Sequence, residues 1–294
     1  MTIAPRASPE YSRGLLLTVS GTVLVSFEAL FLRLVDVDIW TVIWWRGLLL
    51  GVTTLAVLAM SGRSLHVRSL GATGLAAIIA FAACVFSFVS AVNATTVANT
   101  LVIASAAPLF AALQSWLFLR ERTTRATWGA VIIVFVGIAI IFSGSLRTSF
   151  IFGDLFALAY AGCLAAYYVA LRRCPGDHLL SIVACGGLLS GLLAWPLAMP
   201  AAVVPGDLLP LLVLGVVIVP ASTMLLSLGT RYIPAPHVTL IMMLEMVLGP
   251  FWVWFILGEI PPYITVLGGV LILMTVVGHS YASAASRPAV QSDS

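Results

Sequence analysis

The sequence predicts an all-α integral membrane fold: ten transmembrane helices, arranged as two inverted five-helix repeats around a central cavity. Three observations lead there. Charged residues make up 9% of the 294 positions and hydrophobic ones 61%, with a mean hydropathy of +1.13. A soluble domain carries roughly 25% charged residues, so this chain lacks the charge to cover a water-facing surface. Apolar runs long enough to cross a bilayer recur along the chain, and sequence landmarks recur at one fixed spacing.

Crossing ~30 Å of hydrocarbon takes ~20 apolar residues in a helix. Ten runs meet this, bounded by Arg, Asp, Pro and Gly clusters: 14–34, 39–60, 70–91, 95–119, 126–143, 151–171, 179–199, 208–229, 235–257 and 262–281. Alternating strands are absent, which argues against an outer-membrane barrel. The first run follows Arg6 and Arg13. It is too long for a signal-peptide core and no small-x-small cleavage site follows, so it reads as a retained helix.

Orientation is read from the Arg bias of short loops. With the N-terminus inside, Arg6, Arg13, Arg63, Arg68, Arg120, Arg122, Arg125, Arg172, Arg173, Arg231 and Arg287 are cytoplasmic. Arg33 and Arg147 are outside, and Arg46 lies within span two. Both termini are therefore expected in the cytoplasm of a bacterial-type inner membrane. Trp40, Trp44, Trp45, Trp195, Trp252 and Trp254 then map to the outer headgroup level, and Trp116 and Trp128 to the inner one, as membrane tryptophans prefer.

The landmarks point to a duplication. Gly14 and Gly153 begin spans one and six, and Arg33 and Arg172 end them, so the two pairs share one interval. Glu121 and Glu259 close spans four and nine at an interval only one position shorter. This divides the chain into a first repeat, 1–147, and a second, 148–294. Five spans per repeat, an odd number, puts the halves in opposite orientations. Inverted repeats let one fold adopt two mirror-like states, each open to one side.

Little of this sequence suits catalysis. All 14 basic residues are Arg, which excludes lysine Schiff-base chemistry. No phosphate loop, zinc motif or nucleophile elbow is present. Cys84, Cys163, Cys174 and Cys185 have no metal or redox spacing, and His66, His178, His237 and His279 do not converge. The expectation is no enzyme, no cofactor, no metal and no nucleic-acid partner.

Ionisable groups within a bilayer are costly and face protein or a water-filled cavity. Three stand out. Glu28 and Arg46 lie at matching depths, ~9 and ~10 Å from the outer ends of spans one and two at 1.5 Å per residue. They are expected to pair, either as a lock between two helices or as groups that hold the two ends of a zwitterion when split. Glu245 lies near the midplane, where a lone carboxyl is expected to carry a proton or meet a cation, or to act as a neutral packing group. Asp154, Glu121 and Glu259, at span ends, read as structural.

Pro108, Pro220 and Pro250 interrupt spans four, eight and nine. Proline frees a backbone carbonyl and permits a kink, and transporters expose polar backbone to cavities at such places. Asn99 and Ser105 in span four and Ser222, Thr223 and Ser227 in span eight offer polar lining, or close packing by small residues. Phe27 and Phe31, Phe81 and Phe88, and Tyr160, Tyr167 and Tyr168, with Met242 and Met246, could line a soft apolar cavity for flat ligands. Core or lipid-facing packing is the competing role for each.

Two segments carry a family resemblance. Pro108 to Glu121, followed by Thr127-Trp128-Gly129-Ala130, resembles the EamA domain of the drug/metabolite transporter superfamily. A second copy runs from Leu244-Glu245 through Gly258-Glu259 to Gly268-Gly269. The resemblance covers nearly the whole chain as two tandem copies, and within the superfamily it is most similar to the YddG-type exporters of aromatic amino acids. In one place the chain departs from the pattern: Glu245 is followed by Met246 rather than proline, and Pro250 comes later. That moves the expected kink of span nine about one turn outward.

The resemblance implies an alternating-access exporter of amino acids and related small metabolites. A multidrug or organic-cation exporter, drawn by Glu28 and Glu245, is the alternative. A phosphorylated-sugar exchanger would need more cavity cations than Arg46. The expected partners are a small-molecule substrate and membrane lipid, with the oligomeric state open and a monomer included.

Overall fold

Helices form here because long apolar stretches in lipid must satisfy every backbone polar group internally. The computed structural model describes residues 9–62, 65, 70–119, 125–146, 150–175, 178–229, 232 and 241–285, and every regular element among them is helical. The helices are α1 (Pro9–Val25), α2 (Glu28–Arg33), α3 (Ile39–Met60), α4 (Gly71–Ala94), α5 (Val97–Ala104), α6 (Ala107–Leu119) and α7 (Arg125–Ser145) in the first half. The second half holds α8 (Ile151–Leu171), α9 (Leu179–Ala194), α10 (Pro205–Leu212), α11 (Val219–Gly229), α12 (Glu245–Leu257) and α13 (Tyr263–Ala285).

Seven helical stretches among the described residues are long and apolar enough to cross a membrane: Glu10–Arg33, Ile39–Met60, Gly71–Ala94, Val97–Phe118, Arg125–Ser145, Ile151–Leu171 and Pro205–Leu226. Leu179–Ala194, Glu245–Leu257 and Tyr263–Gly278 are shorter apolar helices. Several boundaries differ from expectation: the first helix begins at Pro9 rather than 14, the last runs to Ala285 rather than 281, and two shifts have a proline at their cause. In span seven, α9 stops at Ala194 rather than 199, just before Pro196, which has no N–H to donate. Span eight starts with α10 at Pro205 rather than 208, with proline at a position where no intrahelical donor is needed.

Local signals set several ends. The Asp38 carboxylate accepts from the N–H groups of Trp40 and Thr41 and so caps α3. Thr96 caps α5 by accepting from Asn99 N–H at 3.1 Å. Gly258, at φ 72°, ends α12 in the left-handed conformation that glycine tolerates.

The spans of α1–α2, α5–α6 and α12 each carry a break. Turns at Ser26–Phe27, Ser105–Ala106 and Met243–Leu244 interrupt the helical pattern, with tightened i→i−3 bonds such as Ala106 N to Ile103 O and Leu244 N to Ile241 O. Pro108 explains the second, since it cannot donate to the carbonyl four residues back. Pro220 follows a π-helical segment, Val213–Ile218, which widens the turns where its missing N–H would leave a gap. Pro250 corrects the sequence expectation. It lies inside continuous α12, and the ninth-span break falls earlier, at Met243. Met243 follows Ser105 at the same interval at which Glu259 follows Glu121.

The most extensive helix pairings are α4 with α8, α3 with α9, α1 with α11 and α7 with α13. Each joins the first half of the chain to the second, so the halves interlock. Small residues permit this. A Cβ on Gly47 would sit 2.6 Å from the Gly187 carbonyl, and one on Gly51 would meet Leu188 at 2.5 Å. The crossing of α3 and α9 thus pairs Gly47-x-x-x-Gly51 with Gly187-x-x-x-Gly191, where bare backbones touch. Apolar packing gathers behind these crossings. One cluster includes Leu30, Ile43, Leu50, Val85, Phe88, Leu211 and Leu214, and a second joins α5, α7 and α13 through Ile103, Val134, Ile141 and Ile272.

Candidate functional site

Glu28 is the first residue of α2, directly beyond the Ser26–Phe27 break. Arg46 projects from α3 to meet it. Arg46 Nε donates to Glu28 Oε1 at 3.1 Å, and Nη2 donates to the same oxygen. Both residues are 6% exposed. The pairing expected from matched depths is present. Arg46 Nη1 is buried with no acceptor among the described residues, and so is Trp45 Nε1. A buried donor without a partner forfeits ~1–3 kcal/mol, more on a charged group. An arginine held on one edge by Glu28 therefore keeps an unused donor on the other.

Glu245 is the first residue of α12, at the other break. It lies within electrostatic reach of Glu28, and Tyr160 lies within reach of both carboxylates. Tyr168 neighbours Glu245 as well. Glu245 and Tyr160 are half-buried and Tyr168 is exposed, so each keeps accessible surface. Cys84 lies in reach of Arg46 and is free, like Cys163, Cys174 and Cys185.

The aromatic residues form two rungs between α4 and α8. Phe88 packs on Tyr160 with centroids 4.8 Å apart, and Phe81 on Tyr167 at 5.3 Å. Tyr160 is the rung beside the carboxylates, while Tyr167 is buried in a separate cluster with Leu70 and Ile182. Phe27 stacks on Trp252 at 4.6 Å.

Several predicted lining residues are spent elsewhere. Asn99 donates to Thr95, Ser145 and Asp154 and accepts from Thr265, which uses its whole amide. Met246 is 9% exposed and packs in the cluster of α5, α7 and α13, with its methyl near Gly269. Ser105 donates to Val102 O, and Ser222 and Thr223 donate to Val219 O, so all three satisfy their own helices. Met242 is half-buried, next to the break. Asp154, read from the sequence as a structural residue at a span end, is fully buried at the centre of the Asn99 network. Glu121, His66 and His237 lie outside the described residues.

A small hollow between α6 and α7, lined by Leu109, Phe110, Leu113, Val131, Val134 and Phe135, is wholly apolar. It lacks a group that could orient a polar ligand. No group of three His, Cys, Asp or Glu side chains among the described residues could hold a metal ion. The sequence reading missed two features. The paired Gly-x-x-x-Gly spacings are visible in it as a signal. The contacts of Arg33 and Trp252 are not, since each partner lies in the opposite half of the chain.

Two long, apolar halves with a buried ion pair beside a helix break suit a membrane carrier. The model of the EamA-like transporter family matches this chain twice, over residues 12–143 and 151–281. The chain belongs to the EamA-like transporter family. As an EamA-like protein it is a multi-pass membrane protein of a transporter family, and the family's members are transporters rather than enzymes. Two curated relatives are similar to it, the pseudopaline exporter CntI of Pseudomonas aeruginosa strains UCBPP-PA14 and PAO1. Each is 29% identical over 187 residues, which is 62% of this chain. The chain spans 66% of the length of these curated relatives. A solved crystal structure matches 94% of this chain and 99% of its own, with a TM-score of 0.64 and 20% identity; that likeness speaks for the fold alone.

Proposed function

We propose that this EamA-like protein exports amino acids, aromatic ones included, and related small metabolites across a bacterial inner membrane by alternating access. The observation that carries the reading is the buried Glu28–Arg46 pair with its spare Nη1 donor, set within electrostatic reach of Glu245. One cation with an unused donor and one accessible carboxylate suit the two ends of a zwitterion. The partly buried rings of Phe27 and Tyr160 beside them suit a flat side chain. Asn99 and Met246 belong to the framework in this reading, and Tyr168 joins the lining. The export activity of the pseudopaline exporters adds support for outward movement of a small metabolite.

The proposed scaffold is ten spans with both termini cytoplasmic, built as inverted repeats at 1–147 and 148–294. The equivalent breaks at Ser105 and Met243 support the duplication. So do Gly47 and Gly51, which precede Gly187 and Gly191 by one shared interval and lie on helices that cross each other.

Counterflow in proteoliposomes tests the substrate class. Preloaded phenylalanine, tryptophan, methionine and threonine should each accelerate exchange, with millimolar half-saturation, because apolar contacts discriminate by only ~1–3 kcal/mol per methylene. Glucose 6-phosphate should not. A second reading, export of organic cations, is favoured by the excess of carboxylates over Arg46 at the site. Exchange of phenethylamine with no exchange of any amino acid would establish that reading instead.

A further inference from the structure

Arg33 and Glu259 end their spans in the sequence, and the structure brings them together. Arg33 Nη2 lies 3.2 Å from Glu259 Oε2 and donates to Thr95 O at 2.6 Å. The other oxygen, Glu259 Oε1, accepts from Val97 N–H at 2.8 Å, at the start of α5. Two helical turns deeper on both strands of this contact lies a second tie. The Trp252 ring stacks on Phe27, with centroids 4.6 Å apart, and Trp252 Nε1 donates to Ser26 Oγ at 3.0 Å. Ser26 precedes Arg33 by the same two turns by which Trp252 precedes Glu259, so one face of each element carries both rungs. Val253 is sealed beside them at 1% exposure. Both rungs join the first half of the chain to the second.

Three features distinguish this contact from static packing. Both tied pieces, α2 and α12, begin directly at a helix break, at Ser26–Phe27 and Met243–Leu244. The Arg33 and Glu259 side chains are 26% and 25% exposed, so water can take over their hydrogen bonds, and a rim ion pair contributes only ~0–1 kcal/mol. The fully buried Asp154 network has no such solvent to turn to. Finally, the deeper rung abuts the polar site: Phe27 precedes Glu28, and Glu245 lies two turns inward of Trp252.

We propose that Arg33–Glu259 and Trp252–Phe27/Ser26 form a two-rung gate that closes one end of the Glu28–Arg46–Glu245 site. It opens when α2 and α12 swing apart about their breaks. The proposal rests on the reading of the chain as an alternating-access carrier, and it is independent of the substrate.

The test is therefore made without a substrate. Val253→Cys is introduced into full-length protein whose four native cysteines are replaced by alanine, in nanodiscs that leave both faces open to reagent. The rate of modification by a charged maleimide reports how often the gate opens. Glu259→Gln and Arg33→Gln should each raise that rate roughly fivefold, the factor for about 1 kcal/mol of ion pairing. The double variant should match the singles, because one tie is lost in each. A parallel reporter, Ala157→Cys beside Asp154, should stay unreactive throughout. Unchanged labelling of Val253→Cys in both single variants overturns the gate. Equal acceleration at Val253→Cys and Ala157→Cys overturns it too, because that reports general loosening. If no amino acid exchanges in counterflow while the labelling pattern holds, the amino-acid reading falls and the gate stands.

Discussion

The amide of Asn99 donates to the carboxylate of Asp154 at 2.9 Å, across to a different helix in the other half of the chain. Thr95 and Ser145 donate to the same carboxylate, and Thr265 closes the circle on the Asn99 carbonyl. The network ties α5, α7, α8 and α13, and every member is buried. Asp154→Ala would leave three donors unsatisfied in a site that water cannot enter. It should cost about 2–4 kcal/mol, read as a fall in thermal unfolding temperature in detergent. Asp154→Asn, which keeps the shape and loses the charge, should cost about half as much. A wild-type melting temperature for Asp154→Ala would show that the network is not part of the framework.

The same residues show where the sequence stops being informative. Hydropathy locates helices because it depends on a single segment, and span boundaries such as 39–60 and 151–171 match the helices found. Glu28 and Arg46 can be matched by depth alone, since they lie on consecutive spans. Asn99 is different. A polar residue in an apolar run invites a ligand-binding role, and only the packing of other elements around it shows that its capacity is already used. Pro250 misleads for a related reason. Proline permits a kink, but the ninth span bends at Met243–Leu244, where no proline stands and the bend follows from tightened turns.

Glycine substitutions separate close crossing from simple propensity. An added methyl at Gly47 would overlap the backbone of Gly187 and Gly191 and Ser190 Oγ, at 2.5–2.7 Å. Backbone cannot step aside as a flexible side chain can. Gly47→Ala should therefore lose about 1–3 kcal/mol. Gly129, in α7, has nothing within 4 Å of the same added atom, so Gly129→Ala should be neutral or slightly stabilising. Equal melting temperatures for the two variants would contradict the α3–α9 crossing.

The proposed topology, with both termini cytoplasmic, rests on the Arg bias and on the odd number of spans expected in each repeat. In intact cells without native cysteines, a cysteine at Asn93 should react with an impermeant maleimide from outside. A cysteine at Thr123 should react only after the membrane is permeabilised. Labelling in the reverse pattern would invert the proposed orientation while leaving the helix pairing intact.

The Glu28–Arg46 pair has two possible roles, a lock between α2 and α3 or a receptor for a zwitterion, and stability and exchange respond differently to each. Removing one partner of a buried pair leaves an uncompensated charge and costs about 3–5 kcal/mol. Arg46→Gln and Glu28→Gln should each be destabilised by this amount, whatever the pair does. The neutral double variant, Glu28→Gln with Arg46→Gln, removes both charges, and a neutral pair of similar shape is often tolerated. Its melting temperature should return to within a few degrees of wild type. If the pair receives substrate through Arg46 Nη1, counterflow of phenylalanine should remain at least tenfold below wild type in this stable double variant. Charge reversal, Glu28→Arg with Arg46→Glu, should recover part of the exchange, since the site again holds one cation and one carboxylate at the same depth. Recovery of full exchange by the neutral double variant would assign the pair to helix packing alone. In that case the spare donor of Arg46 has no part in transport, and Glu245 with Tyr160 and Tyr168 would remain as the polar contacts open to a substrate.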